Sequence, residues 1–491
     1  PPFMAARRPC NRRRRWACLH LSITAIALWI FSNHYPPDIA SNFAKKNEGG
    51  AGDLPHVLQT KGVPVKLFCD PSEVEPDALK QLKGVAESGL VLGHVAAMPD
   101  VHLGKGATVG SVFASEDWVA PNAVGVDIGC GIAAVPIKDL KRTHLSPEMC
   151  EAIRRKIKQR IPTGFHEHKE ALDGTDAFLE ESLLDTNACS DWMRENLDVK
   201  HMKQIGTLGG GNHFLEVLYD ESDENVWIML HSGSRNIGNI CAAYWNDVAR
   251  GETTPPRGVA FHLESDTRSP RPDLAFLRIK SEAGQAYLTD MRWCQRYAQE
   301  NRRRMLDIMM QIVKEVTGKE GDLAQAVNIH HNYCSSETIP VETKGLVSKS
   351  HKTVWVTRKG ATSAKEGQLG IIPGSMGVGS FIVRGKGNPE SWASCSHGAG
   401  RRMSRTAAFK RISQQDFEQS MQNVPFADTN EELRDEAPGA YKDLSVVMEN
   451  QKGLVDVVHR LRPLINVKGM EKKPRGLIKS QQSNPRRHRV G

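Results

Sequence analysis

The stretch Val124-Gly125-Val126-Asp127-Ile128-Gly129-Cys130-Gly131 ends an apolar, strand-like run with a carboxylate and a thiol three residues apart. Its glycines let the backbone bend sharply, so that Asp127 and Cys130 can point toward one cation. A thiolate beside a carboxylate suits a transition-metal ion better than magnesium. The stretch therefore predicts a metal site at a strand end, although a turn aspartate next to a buried cysteine gives the same pattern.

Three histidines further along the chain have similar surroundings. Each follows or precedes small or amide residues at the edge of an apolar segment: His213 in Gly209–Glu216, His231 in Leu230–Arg235 and His331 in Asn328–Asn332. An imidazole placed there can turn into a cleft while a neighbour fixes its tautomer. Together with Asp127 and Cys130, these histidines form a mixed set of oxygen, nitrogen and sulfur donors that suffices for one or two divalent ions. The sequence alone does not show that the five side chains meet in space.

A fourth histidine begins the tetrad His397-Gly398-Ala399-Gly400, which Arg401 and Arg402 follow directly. Glycine lets main-chain N–H groups approach an anion closely, and the arginines supply positive charge for a phosphate. The tetrad therefore predicts a nucleophilic imidazole able to carry a nucleotidyl group. A buried, hydrogen-bonded loop histidine is the alternative.

The net charge of +8 does not by itself indicate a nucleic-acid-binding protein, because the positive charge is confined to the two ends. Residues 1–37 hold six arginines and no acidic residue, residues 470–491 hold seven basic residues and one acidic residue, and residues 38–469 carry a net charge of −4. Any contact with RNA or DNA must therefore come from a local site. With 491 residues, 39% of them hydrophobic, the chain can bury a large core in one large or two ordinary domains.

Residues 1–58 are interpreted as an Arg-rich leader and linker that includes a short hydrophobic run. That run, Trp16–Phe31, is shorter than the roughly 20 residues of a spanning helix. It fits a signal peptide, a signal anchor, an organellar transit segment or sequence upstream of the true start. The ten cysteines have no framework spacing and predict free thiols in a reducing compartment. We therefore expect a cytoplasmic protein, with organelle import or membrane anchoring by residues 1–31 as the alternative.

Between these ends, the chain alternates strand-like and helix-like segments with glycine-dense patches. Apolar alternation predicts a strand within Val63–Phe68, and helical spacing predicts helices over Asp77–Glu87 and Ser281–Glu315. Glycine-dense patches between such segments are typical of an active site built from loops on a rigid scaffold.

Taken together, the motifs resemble those of the RtcB RNA ligases, in the order of that family. The matching blocks are Met98–Gly106, Gly125–Gly131, Gly209–Glu216, His231–Arg235, His331–Asn332, Pro373–Gly377 and His397–Arg401. The resemblance spans about Thr60 to Gly469. It implies an α+β fold, in which a single large catalytic domain over residues 59–469 has mixed sheets flanked by helices around a central metal cleft.

The resemblance also implies an activity and its cofactors. Members of this family join an RNA end with a 3′-phosphate or 2′,3′-cyclic phosphate to a 5′-hydroxyl end, using GTP and manganese, for which we expect two ions. The reaction runs through a GMP–histidine intermediate and an RNA end activated as 3′-ppG, in transfer-RNA splicing or RNA repair. An archease-like activator and the oligomeric state stay open.

The roles of individual residues follow from the same resemblance, position by position. His397 looks like the nucleophile. The manganese ligands look like Asp127, Cys130, His213, His231 and His331. The nucleotide-binding residues look like Asn212, His213, Phe214, Leu215, Glu216, His331, Asn332, Pro373, Gly374, Ser375, Met376, Ser380, His397, Gly398, Ala399, Gly400, Tyr441 and Lys468. Arg235 and Arg401 are candidates for binding RNA phosphate, with a structural ion pair as the alternative.

The chain departs from the family pattern at its end. Family members usually stop just after the lysine that Lys468 matches, whereas this chain continues as a basic tail over residues 470–491. Two other functions remain as alternatives. One is a metal-dependent phosphoesterase without covalent GMP, and the other is a non-catalytic RNA-binding scaffold.

Overall fold

The computed structural model describes residues 54–184, 189–261, 267–268, 274–343 and 346–470. Residues 1–53 of the predicted leader (1–58) and residues 471–491 of the predicted tail (470–491) lie outside the described residues. The end of the predicted leader belongs to the domain instead, because His56–Leu58 forms a strand that pairs with Val65–Leu67. In the described part, no helix combines the length and the apolar character needed to cross a membrane. The compact unit that contains all described elements begins at Pro55.

The strands are numbered in chain order. They are β1 (His56–Leu58), β2 (Val65–Leu67), β3 (Leu92–His102), β4 (Val109–Ser115), β5 (Trp118–Val119), β6 (Gly131–Lys141), β7 (Phe214–Asp220), β8 (Asn225–Ser232), β9 (Thr267–Arg268), β10 (Phe276–Arg278), β11 (Val327–His330), β12 (Asn332–Thr343), β13 (Leu346–Lys359), β14 (Ala361–Ser363), β15 (Leu369–Pro373), β16 (Ser380–Gly385), β17 (Ser394–Ser396), β18 (Phe426–Ala427) and β19 (Val455–Lys468).

The helices are numbered in the same way. They are α1 (Pro76–Ala86), α2 (Pro121–Val124), α3 (Pro147–Arg160), α4 (Thr175–Leu184), α5 (Asp191–Asn196), α6 (Val199–Gln204), α7 (Arg235–Ala249), α8 (Glu282–Thr317), α9 (Arg405–Arg411), α10 (Gln414–Ser420) and α11 (Leu444–Glu449). The predicted strand within Val63–Phe68 and the two predicted helices are confirmed as β2, α1 and α8.

Two large sheets organise the unit. One has the order β1-β2-β3-β4-β13-β12 and the other β11-β6-β8-β7-β19-β16-β15, with β18 added beside β19. Both contain parallel and antiparallel pairs, since β2 pairs parallel with β3 and β18 with β19. The expected α+β class with mixed sheets flanked by helices is confirmed. The chain passes from the second sheet to the first at His331, between β11 and β12.

The second sheet has one face for the core and one for the site. Leu215 on β7 and Leu230 on β8 belong to a buried cluster with apolar residues of α3 and α8. Side chains alternate between the two faces along a strand, so their neighbours point the other way. Across β19, β7, β8 and β6, the register pairs Lys468 with Phe214, Phe214 with His231 and His231 with Ile132. One edge of this sheet therefore gathers residues that are far apart in the sequence.

Helix α8 packs against both α3 and α7 and lies behind that sheet. Its N-cap is Ser281, whose side chain accepts from the amide of Gly284, and its C-terminal turn ends at Gly318 in the left-handed conformation. Cys294 on α8 and Cys241 on α7 are fully buried among apolar side chains, and Cys150 is buried beside α8. The cysteines among the described residues are free thiols, as predicted.

Candidate active site

The five predicted metal ligands come from four separate segments. Asp127 and Cys130 lie in the turn between α2 and β6, and His331 lies between β11 and β12. His213 directly precedes β7, and His231 lies on β8 in the hairpin that β7 and β8 form. Their convergence could not be read from the sequence, because it depends on the register of neighbouring strands.

The donor atoms of these ligands form a continuous group. The Cys130 Sγ lies 3.4 Å from the His213 Nε2 and 3.2 Å from the His231 Nε2. The Asp127 Oδ2 lies 3.1 Å from the His213 Nε2, and the His331 Nε2 lies 3.4 Å from the His231 Nε2. Cys130, His213 and His231 each offer one ligand atom within 4.8 Å of the others, and all three are buried. Such a set of sulfur, nitrogen and oxygen donors fits a transition-metal ion.

The environment keeps the His231 and His331 imidazoles neutral and the free Cys130 thiol protonated. Burial is the main cause that lowers the pKa of His231 and of His331 well below the usual range. Burial, followed by the nearby Asp127, raises the pKa of the Cys130 thiol well above its usual value. Neutral imidazole is the form that ligates a metal, and a bound cation would favour the thiolate.

Neighbouring carbonyls and amides orient the ligands. The His213 Nδ1 lies 2.9 Å from the Leu208 carbonyl, so the proton on that nitrogen leaves Nε2 as the ligating atom. The Asp127 Oδ1 accepts from the Ser234 amide at 3.1 Å. A Cβ on Gly233 would come within 2.2 Å of the same carboxylate oxygen, so a larger residue would push Asp127 out of the cluster.

His397 lies beside the metal-ligand cluster. Its ring centroid is 4.9 Å from that of His331, in an edge-to-face arrangement. Its Nδ1 lies 2.6 Å from the Oδ2 of Asp100, which is fully buried at the end of β3 and also accepts the His397 amide at 3.1 Å. A carboxylate at Nδ1 holds the proton there and leaves an unshared electron pair on Nε2. This arrangement suits a nucleophilic imidazole.

A cavity of about 390 Å³ extends from the metal-ligand cluster past His397, which is within the usual size range of small-molecule sites. Most predicted nucleotide-binding residues line it: Asn212, Phe214, Glu216, His331, Asn332, Pro373, Gly374, Ser375, Met376, His397, Gly398, Ala399, Gly400, Tyr441 and Lys468. The Ser375 hydroxyl is buried there without a hydrogen-bond partner among the described residues. An unpaired polar atom that lines a cavity indicates a ligand contact.

The Gly-Ala-Gly segment is held close to the rest of the site. Gly400 has a φ of +73°, and a Cβ on it would lie 2.3 Å from the Asp100 carbonyl oxygen, so glycine is required there. The Ala399 amide donates to the Pro373 carbonyl at 2.9 Å. The segment is thus anchored on both sides of the cavity wall.

One part of the cavity wall is built around Glu436, a buried carboxylate. Its Oε2 accepts from the Lys468 Nζ and from the Tyr441 hydroxyl, both at 2.7 Å. Its Oε1 accepts from Arg401 at 3.2 Å and Arg405 at 3.0 Å. Burial alone would raise the pKa of Glu436, but these cations together hold it below its usual value.

Glu216 experiences the opposite balance. Burial raises the pKa of this carboxyl to about 7, although the Asn466 amide donates to it at 2.6 Å and Lys468 opposes the rise. Glu216 therefore changes protonation near neutral pH while facing the cavity.

A few predicted residues lie elsewhere. Leu215 points to the opposite face of β7 and packs in the core, and Ser380 is buried on β16 outside the cavity lining. Arg235 lines a second groove, which shares Asp127 and Asn212 with the main cavity. Its guanidinium donates to Thr207 and to the Gly164 carbonyl.

Arg401 has its guanidinium occupied by acceptors of the protein. Besides Glu436, it donates to the Asp435 carbonyl at 2.7 Å and to the Met403 carbonyl at 3.1 Å, and it lies 5.0 Å from the centroid of the Tyr441 ring. This is the structural ion pair that the sequence left as an alternative, and a role of Arg401 toward RNA stays a prediction.

Three residues of the site were not predicted from the sequence. Asp100 belongs to the motif Met98–Gly106, and its place four residues before the glycines of that motif was the available signal. No pattern pointed to Glu436. Lys359 lines the cavity and donates to the carbonyls of Lys105 and Asn122, and burial lowers its pKa to about 7.

The chain is similar in sequence to a family model and to several known proteins. A family model described as tRNA-splicing ligase RtcB matches residues 81–469. The chain is 39% identical over 431 residues to the RNA-splicing ligase RtcB of Escherichia coli K12, covering 84% of this chain and 99% of that protein. It is 32% identical over 436 residues to the RNA-splicing ligase RtcB of Mycobacterium tuberculosis H37Rv, covering 76% and 96%. The tRNA-splicing ligase RtcB of Methanococcus maripaludis is 28% identical over 476 residues, covering 83% and 95%.

Proposed function

The chain belongs to the RtcB family of RNA-splicing ligases and is an RNA ligase, and on that premise we propose that it works through a GMP–histidine intermediate on His397. The substrates of the proposed reaction are GTP, an RNA with a 3′-phosphate or an opened 2′,3′-cyclic phosphate, and an RNA with a 5′-hydroxyl. The observation that carries this proposal is the contact between His397 and Asp100, beside the metal-ligand cluster and inside the cavity.

In the first proposed step, the His397 Nε2 attacks the α-phosphorus of GTP, a P–N bond forms and pyrophosphate leaves. The ring gains positive charge as this bond forms, because its Nδ1 keeps its proton. Asp100 is fully buried and accepts that N–H, so it stabilises the charged ring and fixes its orientation.

Two further steps transfer the GMP. An oxygen of the RNA 3′-phosphate attacks the phosphorus on His397, the P–N bond breaks and an RNA-3′-ppG end forms. The 5′-hydroxyl then attacks the RNA 3′-phosphorus, its proton is lost, and GMP leaves as the new phosphodiester forms. Chemistry of this kind depends on positioning and on electrostatic stabilisation.

The donor set fits manganese at two linked positions. Asp127, His213 and Cys130 would hold one ion, and Cys130, His231 and His331 a second, because the Cys130 Sγ lies within 3.4 Å of a nitrogen on each side. A bound Mn²⁺ supplies positive charge against the phosphate oxygens during transfer.

The nucleotide would occupy the cavity between His397 and Glu436. Tyr441 and Phe214 offer aromatic faces for a base, and the Ser375 hydroxyl and Glu216 offer hydrogen-bonding groups. Arg235, in the adjoining groove, is the proposed contact for an RNA phosphate. We keep as predictions a cytoplasmic location, a role in transfer-RNA splicing or repair, and an archease-like activator.

The test is incubation of the full chain with α-³²P-GTP and MnCl₂, followed by a denaturing gel. The wild type should retain an acid-labile label, and His397→Ala should retain none, because no other proposed step forms a P–N bond. A control variant, His459→Ala, removes a histidine whose Nδ1 faces Asp220 outside the cavity and should label like the wild type.

The same samples should be given an RNA with a 2′,3′-cyclic phosphate and a second RNA with a 5′-hydroxyl. Labelled enzyme together with a joined RNA supports the proposal. Release of phosphate from the 3′ end without labelled enzyme would instead establish the phosphoesterase alternative.

A further inference from the structure

Two neighbouring residues in the middle of α8, Asn301 and Arg302, contact the segments that carry the metal ligands, although neither lines the cavity. Both side chains are fully buried. Buried polar groups are costly unless each hydrogen bond is made, so their placement needs an explanation.

Asn301 connects the segments of His231 and His213. Its Nδ2 donates to the Gly233 carbonyl and to the Ser232 hydroxyl, both at 3.1 Å. The Ser232 hydroxyl donates to the Leu208 carbonyl at 2.8 Å, which is the same oxygen that the His213 Nδ1 faces.

The carbonyl oxygen of the Asn301 side chain fixes the loop that leads to Leu208. It accepts from the amides of Gly206 and Thr207 at 2.8 and 3.1 Å. Asn301 therefore holds the carbonyl that orients His213 and the residues that directly follow His231.

Arg302 reaches the segments of the other ligands. One nitrogen, Nη1, donates to the carbonyls of Gly129 and Ser232 at 2.9 and 3.0 Å, which are the neighbours of Cys130 and His231. The Arg302 Nη2 lies 3.0 Å from the His330 Nδ1, next to His331. The same ring nitrogen lies 3.0 Å from the Gly129 carbonyl, so Arg302, His330 and Gly129 form one group of contacts beside Cys130 and His331.

The charge of Arg302 has no carboxylate beside it. Its Nε donates to the side-chain oxygen of Asn328 at 2.8 Å, and no described residue forms a salt bridge with it. By contrast, Arg358, which is equally buried, forms a salt bridge with Glu337. The groups that could balance the charge of Arg302 are two predicted metal ligands, the Asp127 carboxylate and, once a metal displaces its proton, the Cys130 thiolate.

We propose that Asn301 and Arg302 are positioning residues for the bound metal ions. They hold the backbone next to Cys130, His231 and His331, and the acceptor of His213, in the ligating arrangement. The inference rests on the proposed metal site. Replacing residues that orient metal ligands typically weakens metal affinity about 10–100-fold.

The test is titration of full-length protein with Co²⁺, which gives a near-ultraviolet absorption band when a thiolate binds it. The wild type should show this band. Arg302→Lys retains the charge but loses most of the fork of hydrogen bonds, and Asn301→Asp replaces a donor by an acceptor opposite the Gly233 carbonyl. Both variants should require about 10–100-fold more Co²⁺ for half-saturation.

Arg358→Lys is the matched control, since it shortens an equally buried arginine that donates to Ser394, Glu337 and the Trp392 carbonyl and approaches the ligand segments only at the ring of Tyr333. Its Co²⁺ affinity should equal that of the wild type. Circular dichroism and thermal unfolding establish that each variant folds.

The possible outcomes separate the two proposals. Folded Arg302→Lys and Asn301→Asp variants with wild-type Co²⁺ affinity would overturn the positioning role, while the metal site would stand. Weakening by Arg358→Lys as large as by Arg302→Lys would also overturn it, because the effect would then come from general loss of packing. No thiolate band in the wild type would overturn the metal site and the inference with it.

Discussion

The metal-ligand cluster and the Glu436 network both line one cavity and differ in how their polar groups are satisfied. In the cluster, the Cys130 Sγ and the Nε2 atoms of His213 and His231 face one another at 3.2–3.4 Å. Around Glu436, every contact pairs a cation or a hydroxyl donor with a carboxylate oxygen. The cluster offers facing donor atoms that a cation could join, whereas the charges of the Glu436 network are paired within the protein.

The metal-ligand cluster and the Glu436 network are therefore expected to have different roles. A group of facing donor atoms binds an ion that can be added and removed, so its effect depends on metal concentration and pH. A buried and fully paired network holds its residues in place before any substrate binds. The proposed nucleophile His397 lines the same cavity, and its Nδ1 contacts Asp100 rather than a residue of either group.

The largest effect is expected from Asp100→Asn, which changes neither the metal-ligand cluster nor the Glu436 network. The side-chain oxygen of asparagine can still accept from the His397 amide and Nδ1, but asparagine has no negative charge to stabilise the imidazolium that forms during attack. By analogy with other aspartate–histidine pairs, formation of the labelled enzyme should slow by about 10³–10⁴-fold. Single-turnover labelling with α-³²P-GTP measures this rate.

Binding of Co²⁺ to Asp100→Asn should match the wild type, since Asp100 is not one of the five proposed ligands. If the variant labels at the wild-type rate, the negative charge of the Asp100 carboxylate does not assist attack by His397. If it loses Co²⁺ binding, the nucleophile and the cluster are not separable.

Glu436→Gln removes the carboxylate at the centre of the Glu436 network. Lys468, with a side chain 5% exposed, would lose its partner in a buried site. An uncompensated buried charge typically destabilises by about 3–5 kcal/mol. Urea unfolding measures the change. Glu449→Gln is the control, because its pair with Lys452 is exposed and should contribute less than about 1 kcal/mol.

Much of the site could be predicted from local sequence, because several of its parts are determined by neighbouring residues. The Asp127–Cys130 spacing and the Gly-Ala-Gly segment after His397 are of this kind. His213 and His231 are only 18 positions apart, and the hairpin of β7 and β8 brings them together. The α+β class came from the family resemblance rather than from composition.

The remaining parts depend on contacts between distant segments. Glu436 acts through Lys468 and Arg401, and Asp100 meets His397 across 297 positions of sequence. Likewise, whether Leu215 faces the cavity is decided by the phase of β7 relative to the sheet, not by its neighbours. Periodicity and spacing carry no information of this range.

The pH dependence of the stability of Glu216→Gln tests the protonation state of Glu216 in the cavity wall. The folded pKa of Glu216 is raised from 4.5 to about 7, so folding favours its protonated form. The resulting penalty is absent below about pH 4.5, grows between pH 4.5 and 7, and is complete above pH 7. Glutamine removes it, so the variant should be more stable by up to about 3 kcal/mol at pH 8 and by less than about 1 kcal/mol at pH 5.

Urea unfolding of the wild type and Glu216→Gln at these two pH values gives the comparison. Equal gains at both values would mean that Glu216 is already ionised in the folded protein at pH 5. A loss at pH 8 would mean that its negative charge is stabilised, as that of Glu436 is.

The smallest of these effects is the increase in stability on metal binding. It distinguishes the metal-ligand cluster from the Glu436 network most directly. An ion that binds only the folded state stabilises it by about 2.7 kcal/mol at a free concentration 100 times its Kd. Mn²⁺ should therefore raise the unfolding midpoint of the wild type, and EDTA should reverse the change. Burial raises the pKa of the Cys130 thiol, so ligation must displace its proton and the stabilisation should grow from pH 6 to pH 8. Cys130→Ala should lose the response, whereas Tyr441→Phe should retain it, because the hydroxyl of Tyr441 contacts Glu436 and not the cluster. A response that survives in Cys130→Ala would mean that the ion binds elsewhere, and the facing donor atoms would then need another explanation.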